Sequence, residues 1–343
     1  MSIVAHSSKK LHGQFYTKAN PFHNDLFLKW LETVPKVVRK SIWLEPFAGA
    51  NHIVRLVDEV KPTAKPSWTC YDIQPGVDNV APRFQVIQRD TLTDFPQGFE
   101  LAITNPPYLA KNSATRDGLP FPACDYDDLY KFALSVMLDR VGYVAAIIPE
   151  SFLTSGLFRD RLYGVTTLNC VMFDDTDCPV CLAMFVPASV KQGSKDFIYY
   201  KGNVNQGSFS QLCQRKADLL VAESQLDWRF NSQGGSIGLY AVDNQKERSI
   251  RFVPGKAIED GRIKVSSRSV TKISGVPRGV STGSLIEAAN ELLEEFRVST
   301  ADVFLTAFKG LRADGDYRRR LDFAMARTLL NASVDQVRGV RHA

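Results

Sequence analysis

Short apolar runs rich in β-forming residues recur through the first half of the chain. They are IWLEPF (42–47), WTCYDI (68–73), FQVIQRD (84–90), LAITNPPY (101–108), YVAAIIP (143–149), LNCVMFD (168–174) and CLAMFVP (181–187). Between several of them the apolar period changes from 2 to 3.6. Leu26, Phe27, Trp30, Leu31 and Val34 fall on one face of a helix over 24–34, which Pro35 then stops. Tyr130, Ala133, Leu134, Met137 and Leu138 keep the same period over 126–140. Strands alternating with helices predict an α/β fold, a doubly wound and mostly parallel sheet covered on both faces. The last two runs lie so close together that a hairpin joins them more readily than a crossover.

The texture changes after Pro187. Residues 188–285 are rich in Gly, Ser, Gln and Arg, with short strand-like runs such as DFIYY and IGLY. From 286 the chain reads as helical: IEAANELLEEF, ADVFLTAFKGL and YRRRLDFAMARTLLN. No internal repeat is visible. Three parts are expected: 1–189, 190–285 and 286–343.

At 343 residues there is room for two domains. With 44% hydrophobic and 23% charged residues, global disorder and coiled coil are excluded. The longest apolar run, Val141 to Ile148, is far short of the ~20 residues of a membrane helix. The first ten residues, MSIVAHSSKK, have no apolar core, so a cytoplasmic location is expected. Charge is unevenly placed. Residues 1–195 hold 20 basic and 20 acidic side chains, whereas 196–343 hold 22 and 17. Segment 244–280 alone carries 9 basic against 3 acidic, which suits a polyanionic partner. Of the six cysteines, Cys178 and Cys181 form one C-x-x-C. No second pair completes a zinc site, so they read as reduced cysteines packed near a strand and no metal is expected.

In a sheet of this kind, ligands are held where strands end at the carboxyl edge. The first strand ends in Glu45-Pro46-Phe47-Ala48-Gly49-Ala50-Asn51, a strand that enters a tight glycine turn and then a helix. It lacks G-x-G-x-x-G, which weakens a nicotinamide reading. The second strand ends at Asp72, an acid placed to bind ribose hydroxyls, with Ile73 beside it. The third ends at Asp90, an acceptor for an exocyclic amine. The fourth ends at Asn105-Pro106-Pro107-Tyr108. Two prolines after a strand make a rigid turn without backbone donors. Carbonyl oxygens and the Asn side chain are then fixed acceptors beside an aromatic ring, an arrangement that suits a planar amine-bearing substrate such as adenine.

Taken together, these motifs resemble those of the S-adenosylmethionine-dependent amino-methyltransferases of DNA, specifically the N6-adenine enzymes. The cofactor loop of that family matches EPFAGA at 45–50, and its D/N/S-P-P-Y/F/W motif matches NPPY at 105–108. An F-Y-T motif matches Phe15-Tyr16-Thr17, and the motif after the catalytic loop matches GYVAAIIPESFL at 142–153. The resemblance covers roughly residues 12–187. Its motif order is that of the gamma class, in which a target-recognition domain follows the catalytic one. Asn51 departs from the second glycine often found there. Asn tolerates left-handed backbone better than most residues, so the loop is expected to survive.

The resemblance implies a seven-stranded methyltransferase sheet and S-adenosylmethionine as cofactor. It implies cofactor contacts from Phe15, Tyr16, Thr17, Glu45, Pro46, Phe47, Ala48, Gly49, Asp72, Ile73, Asp90 and Asn105. Catalysis would fall to Asn105, Pro106, Pro107 and Tyr108, acting on an adenine flipped out of double-stranded DNA. Phe173, from the sixth strand, is the family's candidate for a ring near the flipped base. Lys111 and Arg116, in the polar stretch 109–124, and Arg262, Lys264 and Arg268 are candidates for phosphate contacts. A monomer is expected, with a restriction endonuclease as a possible separate companion. N-P-P-Y also serves methyltransferases of glutamine amides and of ribosomal RNA, and cytosine-N4 stays open. A DNA-binding relative that has lost activity is the non-enzymatic alternative; the intact Asn105 and Tyr108 speak against it.

Overall fold

The computed structural model describes residues 20–60, 66–76, 78–169, 172 and 178–339. The expected contacts from Phe15, Tyr16, Thr17 and Phe173 lie outside them. The chain divides into two compact units, 1–205 and 206–343.

In the first unit, Asn24 caps the helix Asp25–Thr33 by accepting from the amides of Leu26 and Phe27. The helix buries Leu26, Phe27, Trp30 and Leu31, and the Trp30 indole donates to the Phe185 carbonyl at 3.0 Å. That bond seats the helix on a sheet of nine strands. The strands are β1 (Ile42–Glu45), β2 (Ser67–Asp72), β3 (Val86–Gln88), β4 (Leu101–Thr104), β5 (Tyr143–Pro149), β6 (Leu162–Thr167), β7 (Val180–Phe185), β8 (Ile198–Lys201) and β9 (Val204–Ser208). Their order is β3-β2-β1-β4-β5-β7-β6-β8-β9. Pairing is parallel from β3 through β5, while β7 runs antiparallel to both β5 and β6. Every residue of β4, β5 and β7 is buried, as strands covered on both faces require. This is the doubly wound, mostly parallel sheet of seven strands expected from the sequence, lengthened by β8 and β9.

A strand that the apolar runs did not mark is Leu162–Thr167. Its sequence LYGVTT alternates poorly because Gly164 sits where the Leu26 side chain presses in, with only 3.0 Å left for a Cβ. Of the expected strand 168–174, residues 170, 171, 173 and 174 lie outside the described residues. The first unit ends later than residue 189, because β8 pairs with β6.

The second unit has a four-stranded sheet, β10 (Arg229–Phe230), β11 (Ile237–Tyr240), β12 (Arg251–Pro254) and β13 (Val270–Ser274), in the order β10-β13-β11-β12. A hairpin of β14 (Thr306–Leu311) and β15 (Tyr317–Arg320) follows. Helices Thr282–Ser299 and Phe323–Arg338 share one apolar core with the four-stranded sheet. The expected division at 285/286 is therefore absent. Two stretches read as helical are strand: 306–311 and 317–320 form the hairpin, turning through Asp314-Gly315 with Gly315 at φ 84°.

Beneath this hairpin lies a buried ionic cluster. The Asp243 carboxylate accepts from Arg297 Nη1 and Nη2 at 2.9 and 2.8 Å and from Arg312 Nη1 at 3.2 Å. Asp302 takes the Arg297 Nε at 2.8 Å. Burial works to raise the Asp243 pKa, but the hydrogen bonds and charge of Arg297 outweigh it and hold it down to about 2.

Candidate active site

The carboxyl ends of β1, β2, β4 and β5 carry the residues that the motifs single out. β1 delivers Glu45, fully buried, into the turn that follows. Glu45 Oε1 accepts from the Phe47 amide at 3.0 Å and from Thr104 Oγ1 at 2.5 Å, while Oε2 is buried without a partner. Burial pushes this carboxyl up to about 8, Thr104 and Phe47 pull it back, and the Asp72 charge adds to the rise.

The glycine turn is braced from the next strand. Asp72 Oδ2 accepts from the Gly49 amide at 2.8 Å, Oδ1 from the Gln74 amide at 2.8 Å, and the Tyr71 carbonyl takes the Ala48 amide at 2.8 Å. Asp72 thus holds the loop that a cofactor would meet. Asn51 stands at φ 61°, ψ 29°, the left-handed conformation expected of it. It also does what glycine could not: its Nδ2 donates to Asn79 Oδ1 at 3.0 Å and to the Phe84 carbonyl at 2.9 Å. Ile73 keeps 41% of its surface open, an apolar face next to Asp72 in the chain.

Asp90 Oδ1 accepts from the Leu92 amide at 3.1 Å, and its carbonyl takes the Asp94 amide at 2.9 Å, so it shapes the turn after β3. Next to it the buried Thr91 hydroxyl donates to the Pro46 carbonyl at 2.8 Å and ties that turn to the glycine loop. Neither Thr91 nor Thr104 was singled out from the sequence. Thr104 had a readable signal, since it closes β4 directly ahead of Asn105.

Asn105, Pro106, Pro107 and Tyr108 leave the end of β4 together, without a cis peptide bond. The Tyr108 hydroxyl lies 2.6 Å from Asn105 Oδ1 and 2.7 Å from the Ile147 carbonyl of β5. One phenolic proton is shared between these two acceptors, and it fixes both the ring and the Asn side chain to the sheet. Burial holds the Tyr108 phenol well above its usual pKa, so it remains a donor. Tyr130 meets the Tyr108 ring edge-on, centroids 6.3 Å apart at 85°. After the motif the chain is knitted to 127–129: the Leu109 amide donates to Asp128 Oδ1 and the Lys111 amide to the Asp127 carbonyl, at 3.2 and 2.8 Å.

Lys111 and Arg116 are exposed on a helix, Lys111–Asp117, within the polar stretch 109–124. Arg116 already pairs with Asp117, Nε to Oδ1 at 2.9 Å. Arg262, Lys264 and Arg268 belong to the second unit and are all exposed. Among the described residues no group of three or more His, Cys, Asp or Glu could hold a metal ion, and no helix is long and apolar enough to cross a membrane.

No family model matches this sequence, and no curated protein does either. Solved structures do. A DrdV–DNA complex is similar at 15% identity over 58% of this chain and 28% of its own, with a TM-score of 0.43. A type I restriction-modification methyltransferase subunit from Streptococcus thermophilus is similar at 15% identity over 56% of this chain and 50% of its own, with a TM-score of 0.38. A class I S-adenosylmethionine-dependent methyltransferase from Listeria monocytogenes is similar at 12% identity over 47% of this chain and 58% of its own, with a TM-score of 0.36. The chain thus spans between about a quarter and three fifths of the length of these structures.

Proposed function

We propose that this chain methylates the N6 amine of adenine in double-stranded DNA, with S-adenosylmethionine as cofactor. The observation that carries the reading is the Tyr108–Asn105 pair, 2.6 Å apart at the end of β4 and anchored to β5. The braced glycine turn at the end of β1 supports it. Glu45, Gly49, Asp72 and Ile73 fit the cofactor by chemistry: a buried carboxyl oxygen lacking a partner, a tight turn, an acid bracing that turn, and an open apolar face for a ring. Bound there, S-adenosylmethionine supplies an electrophilic methyl group carried on sulfur.

The chain's own residues would then position the amine. The Asn105 carboxamide oxygen, oriented by the Tyr108 hydroxyl, and the Pro106 carbonyl would accept from the amino group and aim its nitrogen lone pair away from the ring plane. Preorganised acceptors also stabilise positive charge that develops on the nitrogen. The extra proton passes to solvent, so no strong base is required. An adenine in a duplex must first be flipped out, at a cost of a few kcal/mol.

The test is nucleoside mass analysis of DNA from a host without adenine methylation of its own, after expression of this chain and of Asn105→Ala. N6-methyladenine should appear with the parent, and the purified variant should turn over at least ~10²-fold more slowly with cofactor binding intact. Methylation of RNA or of a glutamine amide instead, or near-parental turnover by the variant, would overturn the reading.

A further inference from the structure

The segment between β12 and β13 in the second unit is a loop built to hold its tip still. Ile258 and Ile263 are buried and root it in the unit. Asp260 Oδ1 receives Lys272 Nζ at 2.6 Å. Beyond these anchors, Lys264 to Ser267 form a tight turn, with the Ser267 amide donating to the Lys264 carbonyl at 2.9 Å and the Lys264 amide to Ser267 Oγ at 2.9 Å. Asn231 braces the turn from outside. Its Nδ2 donates to the carbonyls of Val265 and Ser267 at 2.9 and 3.1 Å, and its backbone takes φ 54°.

At the tip stands Val265, 97% exposed, the most open of the large apolar side chains among the described residues. A single exposed valine is ordinary. A valine fixed on a braced turn and flanked by Arg262, Lys264 and Arg268 is less so. None of these three cations forms an ion pair among the described residues, though ten other Lys and Arg side chains there do. Exposed cations outside any ion pair fit the phosphates that flank a groove. An apolar group held between them needs an apolar counterpart on a base-pair edge, and the thymine 5-methyl in the major groove is the one that DNA offers. An isopropyl group is also too short to wedge base steps apart as Phe, Leu or Met can.

We propose that Val265 is a specificity-determining residue that reads a thymine through its 5-methyl group, with Arg262, Lys264 and Arg268 on the adjacent phosphates. The proposal rests on the DNA-methylating reading above and adds to it a named base contact. Val265→Ala leaves the turn intact, since no packed side chain depends on the isopropyl group.

The test begins by reading the methylated sequence from sequenced DNA of the expressing host. Duplexes of that sequence are then made with each thymine replaced in turn by uracil, which removes only the methyl. With the parent enzyme, uracil at one position outside the methylated adenine's own pair should lower kcat/KM about fourfold, the burial of one methyl group. Val265→Ala should methylate thymine and uracil duplexes there at equal rates, with an unchanged salt slope of binding. Uracil tolerated everywhere, discrimination that survives in Val265→Ala, a target without such a thymine, or an equal loss by the variant on every duplex would each overturn the proposal. If the parent methylates no DNA at all, the underlying reading fails first and this contact falls with it.

Discussion

Glu45→Gln isolates the cost of a buried acid at the head of the glycine turn. Glu45 titrates at about 8 in the folded chain against 4.5 for an unperturbed carboxyl. Between these values the folded state keeps a proton that the unfolded state has lost, so stability falls as pH rises. The contribution is complete below pH 4.5 and gone above pH 8. At roughly 1.4 kcal/mol per pH unit, about 3 kcal/mol disappears between pH 6 and 8. Gln cannot ionise, and its carbonyl can still accept from Thr104 and Phe47, as Glu45 Oε1 does. Any cost of its amide at the place of the partnerless oxygen is equal at both pH values and cancels. The assay is urea unfolding at pH 6 and pH 9, followed by tryptophan fluorescence. Trp43 and Trp68 are buried on β1 and β2 with ring centroids 5.4 Å apart, so they report on these strands. The parent should lose about 3 kcal/mol more than the variant across this interval. Parallel losses in the two proteins would refute the burial argument.

Asp72→Ala should weaken S-adenosylmethionine binding by roughly 1–3 kcal/mol through the freed Gly49 amide; calorimetry checks this, and equal affinity would contradict it. Neutralising Arg262, Lys264 and Arg268 together should flatten the salt dependence of DNA binding by up to about three in slope, while cofactor binding is unchanged. Asp243→Ala should destabilise the second unit by about 3–5 kcal/mol, because Arg297 and Arg312 are left buried without their shared carboxylate; chemical denaturation followed at Trp228 measures it.

Much of the first unit was legible because its strands are covered on both faces and therefore read as apolar runs. YVAAIIP marks β5 from end to end; in the second unit, IGLY marks β11. β6 escaped because Gly164 and two threonines break its pattern, although Thr166 and Thr167 are fully buried in the sheet. The β14–β15 hairpin read as helix for a different reason. Its residues reach partners that no local period encodes: Arg318 Nε donates to the Asp243 carbonyl and the Arg319 backbone amide to the Asp243 carboxylate. At the site, Asn105, Tyr108, Glu45 and Asp72 were visible as residue types at strand ends. What Asp72 and Asn51 do was not, because their partners Gly49 and Phe84 are 23 and 33 residues distant in the chain.

The position of β7 between β5 and β6 has a consequence for synthesis on the ribosome. β6 is made first, yet its place in the sheet exists only after β7 has paired with β5. The residues 168–185 must therefore be added before β6 can dock, which takes about 1 to 4 s at typical elongation rates. During that interval the wholly apolar β5 presents an open edge, the kind of surface on which nascent chains aggregate. Slower translation at this stretch would lengthen the exposure, and a holding chaperone would raise the soluble yield.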